Sequence, residues 1–184
     1  TREPLGSATL LELVVQRLRP LGGDILVVVA EEGKLALPPQ PRLTVVADIY
    51  PGRGALGGLY TGLHHSTSQY NVVVACDMPF LNLELLRYLL KVAEGFDAAI
   101  PRLGDYQEPL HAVYSRSCLP SIEPLVKLGQ YPIFDFYPDV TIRYVEEAEV
   151  NRFDPQHLSF FNINTAGDLE KARRLHAGPG QAAP

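Results

Sequence analysis

The chain is 184 residues long, the size of one domain with room for a buried core, which leaves little scope for a repeat array or paired domains. Its 16 Lys and Arg are scattered and outweighed by 21 Asp and Glu, for a formal net charge of −5, so it lacks the cationic footprint of a nucleic-acid-binding protein. Fifteen glycines and 16 prolines mark a loop-rich globular chain rather than a disordered one, and its longest apolar runs, such as 25–30, fall far short of the ~20 residues of a membrane span.

Residues 7–19 read as an amphipathic helix, with Thr9 and Glu12 in capping-box spacing and Leu10, Leu11, Val14, Val15 and Leu18 on one side. Residues 25–30 form an apolar strand, and 43–47 a second one ending at Asp48. The loop 50–54 then leads into a helix over 55–65. A third strand, 72–76, ends at Asp77. Asn82 is placed to cap a helix carrying Leu83, Leu85, Leu86, Leu89 and Leu90. Short strands follow at 98–100 and 110–114, then a helix over 118–128 shortened by its prolines. Strands 141–145 and 160–163 bracket a polar stretch with an exposed acidic turn at Glu146, Glu147 and Glu149, and a helix spans 165–175. A single domain over 1–176 and a disordered tail over 177–184 are expected. Continuously apolar strands alternating with helices indicate an α/β fold, a mainly parallel sheet with helices on both faces. In such sheets ligands bind outside the carboxyl ends of the strands, which points to Asp48 and Asp77.

Asp77 emerges at a strand end, where one carboxylate plus phosphate oxygens and waters suffices for magnesium; the competing use is to cap the turn before Pro79. The loop after Asp48, with Gly54, Gly57 and Gly58 at a helix start, offers backbone amides to an anion or a nucleobase edge. Those glycines serve equally well for tight strand-to-helix packing. The loop matches neither a Walker sequence nor a dinucleotide fingerprint. Glu108 and His111 flank a proline turn entering a strand, where a lone histidine is more often a core or edge residue than a catalyst. Asn162 and Asn164 alternate with Ile163 and so share a face, beside a helix cap made by Thr165 and Asp168. Arg53 and Arg102 are the arginines placed for phosphate contact, His64 and His65 point apart on a helix, and Cys76 closes an apolar run as a small buried thiol. Two cysteines without CxxC spacing, and no visible signal peptide, suit a soluble cytoplasmic protein.

Taken in order, 54–63, the segment Val74-Ala75-Cys76-Asp77-Met78-Pro79-Phe80-Leu81, the segment 108–114 and Phe161-Asn162-Ile163-Asn164-Thr165 resemble the molybdenum cofactor guanylyltransferase family, over nearly the whole chain. The resemblance implies a Rossmann-like nucleotidyltransferase fold that transfers GMP from GTP to molybdopterin or its molybdenum-bearing form, with release of pyrophosphate. It implies Mg2+ as cofactor, Asp77 as the metal-binding and catalytic residue, and Asp48 with Gly54, Gly57 and Gly58 on the nucleotide. Glu108, His111, Asn162 and Asn164 would border the acceptor, and transient contacts with other molybdenum cofactor proteins are implied. The family opens with a strand and a glycine-rich signature bearing an arginine and a lysine. Residues 1–12 resemble the family's segment just past that signature, and Met78 is the single methionine, so an N-terminally incomplete sequence is expected. The alternatives are a cytidylyltransferase or sugar-nucleotide enzyme of the same fold, or a non-catalytic nucleotide-binding adaptor if the sequence is complete.

Overall fold

The structure, a computed structural model, describes residues 4–5, 8–31, 40–130 and 132–177. A short antiparallel pair, β1 (Pro4–Leu5) and β2 (Ala8–Thr9), precedes α1 (Leu10–Leu18). Thr9 caps α1 as its spacing predicts. The Thr9 hydroxyl accepts from Glu12 N–H at 3.3 Å, and the Glu12 carboxylate accepts from Thr9 N–H at 2.7 Å. The predicted helix start at Ser7 lies outside the described residues.

Strands β3 (Ile25–Val29) and β4 (Leu43–Ala47) pair in parallel, and α2 (Gly54–His65) leads from β4 to β5 (Tyr70–Val74). After α3 (Leu83–Val92) come β6 (Ala98–Leu103), β7 (Tyr106–Gln107), β8 (His111–Ser115) and α4 (Leu119–Leu128). Strand β9 (Ile142–Glu146), α5 (Glu147–Val150) and α6 (Ala166–Ala177) complete the order. The second sheet runs β5-β8-β6-β7, with β9 also paired to β6. Among the described residues β3 pairs with β4 alone and β5 with β8 alone.

The mainly parallel sheet is present, with β3 on β4 and β6 on β9 paired in parallel and β5 running the same way as β6; β8 is an antiparallel member between β5 and β6. The reason is connection length: the hairpin through β7 returns the chain in a few residues, and a parallel return needs a crossover of a dozen or more. Residues 160–163 are not a strand, because Leu158–Phe160 is a 3-10 turn whose N–H groups bond to the buried Asp154 carboxylate. The acidic turn is the helix α5, and Glu149 is half-buried against the Arg143 guanidinium and the Tyr88 hydroxyl. Cys76 is exposed, since β5 ends at Val74 and the chain has already turned outward. Of the tail, Ala177 ends α6 and 178–184 lie outside the described residues.

Helices cover both faces of the larger sheet, as strand alternation requires. Ala98, Ile100, Ala112 and Tyr114 pack with Leu56, Leu59 and Leu63 of α2 and Ile122 and Val126 of α4. Ala99, Val113 and Val145 pack on the opposite face with Val14 of α1 and Leu85, Leu86 and Leu89 of α3. A smaller cluster joins Leu10, Ile163, Leu169 and Ala172, anchoring segment 161–164 between α1 and α6. Burying such side chains contributes about 1.5–3 kcal/mol each, so the carboxyl edge of β5 is held by well-packed elements.

Candidate active site

The Asp77 turn is fixed from two sides. Ala75 N–H donates to Leu110 carbonyl oxygen at 2.9 Å, and Ile163 N–H donates to Asp77 carbonyl oxygen at 3.0 Å. The second bond brings Asn162 beside Asp77. Asp77 Oδ1 and Asn162 Oδ1 are both buried and have no hydrogen-bond partner among the described residues. Leaving such acceptors unpaired costs about 1–3 kcal/mol each, and orphans of this kind mark places where a ligand or ion completes the arrangement.

Behind this turn lies a network invisible in the sequence pattern. Asp154 accepts from Leu158 and Ser159 N–H, the Ser159 hydroxyl accepts from Asn82 N–H at 2.9 Å, and the Asn82 amide donates to Phe153 carbonyl oxygen at 2.8 Å. Asn82 also caps α3 by accepting from Leu85 N–H, as its position predicts. One asparagine therefore starts the helix that follows the Asp77 turn and ties that helix to the loop leading to Asn162. Sequence reasoning sees its capping role but not its second task.

At the end of β4, Asp48 Oδ1 accepts from Tyr50 N–H at 3.0 Å and from the Thr61 hydroxyl at 2.7 Å, while Thr61 accepts from Ile49 N–H at 3.0 Å. Thr61 is fully buried on α2, so it clamps the loop after Asp48 to the helix. Gly57 is needed for that approach: a Cβ there would lie 2.9 Å from Arg53 Cβ and 3.0 Å from Tyr50 carbonyl oxygen. Gly54 opens α2 at φ +58, and Gly58 faces open space. Packing thus explains Gly57 and backbone conformation explains Gly54, while neither accounts for Gly58.

The other candidates divide. Glu108 is half-buried, its carboxyl pushed up by desolvation, and its carbonyl oxygen accepts from His111 N–H at 3.1 Å. His111 lies in the interior, edge-on to Phe160 at 4.8 Å, with neither ring nitrogen bonded to a described residue. Burial pulls its pKa down to about 4 against the opposing pull of Asp154, so the ring is neutral at pH 7. Asn164 is exposed at the start of α6, where Asp168 accepts from its N–H and from Thr165. Segment 161–164 is unpaired, and its two asparagines differ in burial: Asn162 is half-buried with an enclosed Oδ1, whereas Asn164 is exposed. Arg102 pairs with Glu146, and the Arg53 guanidinium lies against Gly129. His64 stacks on Tyr60.

The family model describing a MobA-like NTP transferase domain matches residues 2–139. A Pelotomaculum thermopropionicum protein named a probable molybdenum cofactor guanylyltransferase is 42% identical over 131 residues, 71% of this chain and 64% of that protein. A molybdenum cofactor guanylyltransferase of Syntrophotalea carbinolica is 39% identical over 142 residues, 76% of this chain and 68% of that protein. The chain belongs to the molybdenum cofactor guanylyltransferase family. It spans about two thirds of the length of these relatives. The crystal structure of molybdopterin-guanine dinucleotide biosynthesis protein A from Archaeoglobus fulgidus superposes with a TM-score of 0.82 at 30% identity, covering 96% of this chain and 90% of that one. A Thermus thermophilus 2-C-methyl-D-erythritol 4-phosphate cytidylyltransferase shares the fold alone, with a TM-score of 0.69 at 17% identity.

Membership of this guanylyltransferase family makes the chain a nucleotidyltransferase by class and gives it the nucleotidyltransferase fold. No helix among the described residues is long and apolar enough to cross a membrane.

Proposed function

We propose that the chain transfers GMP from GTP to molybdopterin, or to its molybdenum-bearing form, in the cytoplasm. The observation that carries this reading is the pair of buried, unpartnered oxygens of Asp77 and Asn162, set at a strand end in a chain of this family. A phosphate oxygen of the acceptor attacks the α-phosphorus of GTP in line, a P–O bond forms, the bond to the β-phosphate breaks, and pyrophosphate leaves. The new phosphoanhydride conserves the one cleaved, so no covalent enzyme intermediate and no external reductant or oxidant is required.

The residues present fit magnesium. Asp77 offers a carboxylate oxygen, Oδ1, that no described residue uses, and magnesium needs only one or two carboxylates when phosphate oxygens and waters fill its shell. Asp77 would hold the ion, which when bound supplies charge neutralisation to the phosphates. Asp48, held by Thr61, contacts the nucleoside, with Gly54, Gly57 and Gly58 along the start of α2. Asn162 orients the acceptor phosphate beside Asp77, and Glu108 and Asn164 border the acceptor. His111 acts from behind as a neutral packing group for Phe160 rather than as an acid or base. Transient docking of other molybdenum cofactor proteins belongs to the same reading.

The test is a transfer assay with molybdopterin, magnesium and GTP, CTP or ATP. The expected outcome is release of pyrophosphate with formation of the guanine dinucleotide from GTP alone. Preferential use of CTP would make the protein a cytidylyltransferase, and transfer from none of the three would leave it a binding protein.

A further inference from the structure

His157, half-buried in the loop between α5 and the turn at 158–160, adopts φ 54°. That is the left-handed region, which residues with a β-carbon rarely enter. Such a conformation persists where the surrounding contacts over-determine it, and His157 is held on several sides. Its N–H donates to Asp154 carbonyl oxygen at 3.0 Å, and its carbonyl oxygen accepts from Phe160 N–H at 3.2 Å. Its Nε2 donates to Asn151 Oδ1 at 2.6 Å, and its ring lies edge-on to that of Phe160 at 6.3 Å.

The groups that hold His157 are themselves fixed. Asn151 closes α5, which is fastened to the larger sheet by the buried Val150 and by Glu149 on Arg143 and Tyr88. The Phe160 ring contacts both His157 and His111, and His111 pairs in register with Val74 at the end of β5. Phe161 N–H then closes the turn on Leu158 carbonyl oxygen at 3.1 Å, so the chain leaves the turn in a direction set at His157. Ile163, two residues on, is locked among Leu10, Leu169 and Ala172 and bonded to Asp77. Asn162 lies between these two anchors. Where its amide sits depends on the direction of the turn, whereas the Asp77 turn depends on Ile163.

We propose that His157 is a positioning residue for the transfer reaction, the strained joint that aims Asn162 at Asp77. The inference rests on the guanylyltransferase reading above and adds to it a residue that touches neither substrate. Without the Asn151 bond and the Phe160 contact, the joint relaxes and the turn at 158–160 is free to reorient. The Asn162 amide then drifts while Asp77, tied to Ile163, stays in place. Misplacement by about 1 Å is enough to cost up to about a hundredfold in rate. The loss falls on the step that uses Asn162 and spares the binding of GTP at Asp48 and Asp77. A residue that merely closed a loop would show no such preference.

The experiment compares the full 184-residue chain with His157→Gly, which removes the ring and its bond without disfavouring the left-handed backbone. Nitrogen–proton correlation spectra of the free proteins come first. The Asn162 side-chain amide signals, assigned by their loss in Asn162→Ala, should shift in His157→Gly, while the Asp77 backbone signal stays. In the transfer assay kcat should fall about tenfold with KM for GTP unchanged. His157→Asn, which also accepts the left-handed region and keeps a polar group, should recover most of the loss. In an Asn162→Ala background His157→Gly should change kcat by less than about twofold, because the group being aimed is gone. Unmoved Asn162 signals, an undiminished loss in the Asn162→Ala background, or a loss expressed in KM for GTP would each overturn the assignment. Absence of transfer by the parent chain would count against the guanylyltransferase reading, and the spectra would still decide whether His157 aims Asn162.

Discussion

The backbone N–H of Ile163 donates to the carbonyl oxygen of Asp77 at 3.0 Å, so a residue far downstream, anchored among Leu10, Leu169 and Ala172, sets the turn that bears the candidate metal-binding carboxylate. The same bond carries Asn162 to that turn. Both residues then present buried oxygens without a partner among the described residues, a cost to the fold that a bound ligand would remove.

An opposition between stability and activity at Asp77 is the consequence. Asp77→Asn removes the charge while keeping the shape, and no hydrogen bond to Oδ1 is lost. The melting temperature of the free protein should hold or rise, while transfer falls by a factor of about a hundred or more. Thermal unfolding and steady-state rates on the same preparation check both halves.

Thr61 should act on nucleotide affinity through Asp48. Thr61→Val deletes the 2.7 Å bond to Asp48 and the acceptor for Ile49 N–H, at a cost of about 2 kcal/mol in stability. Urea denaturation reads that cost. In kinetics, KM for GTP should rise more than kcat falls, because Asp48 is loosened rather than removed.

The glycines at the start of α2 make a contrasting pair. Gly57→Ala places a methyl 3.0 Å from Tyr50 carbonyl oxygen, which should cost about 1–3 kcal/mol because backbone must move. Gly58→Ala meets open space inside the same helix and should gain up to about 1 kcal/mol from helix propensity. Denaturation midpoints of the two variants, measured side by side, test whether close packing explains Gly57.

His111 should make the fold acid-sensitive. Its ordinary pKa of 6.5 falls to about 4 in the folded protein through burial, so the unfolded chain takes up the proton first as pH drops. The stabilisation is complete above about pH 6.5 and is lost progressively toward pH 4, amounting to at most about 3 kcal/mol. His111→Leu removes the titrating group, and neither ring nitrogen had a bond to lose. Stability measured between pH 7.5 and 5 should fall less steeply in that variant than in the parent.

Local signals carried much of this architecture. The Thr9 and Glu12 capping box, the Asn82 cap and the Thr165 and Asp168 pair all form as their spacing indicates, because a cap is decided within four residues. Asp48 and Asp77 follow apolar runs closely enough that their strand-end positions were readable. The features that escaped depend on contacts distant in sequence. The antiparallel course of β8 comes from a short hairpin, and residues 158–160 turn because the buried Asp154 offers them a carboxylate. An aromatic cleft draws Tyr106, Phe134, Tyr137 and Tyr144 from three segments with no common periodicity.

The most direct measurement is a calorimetric titration of the chain with GTP and magnesium, with CTP and ATP as competitors, repeated on Asp77→Asn. Guanine-selective, magnesium-dependent binding that the substitution abolishes is the predicted result. Binding that persists unchanged in Asp77→Asn, or that magnesium does not affect, would contradict the role assigned to this carboxylate.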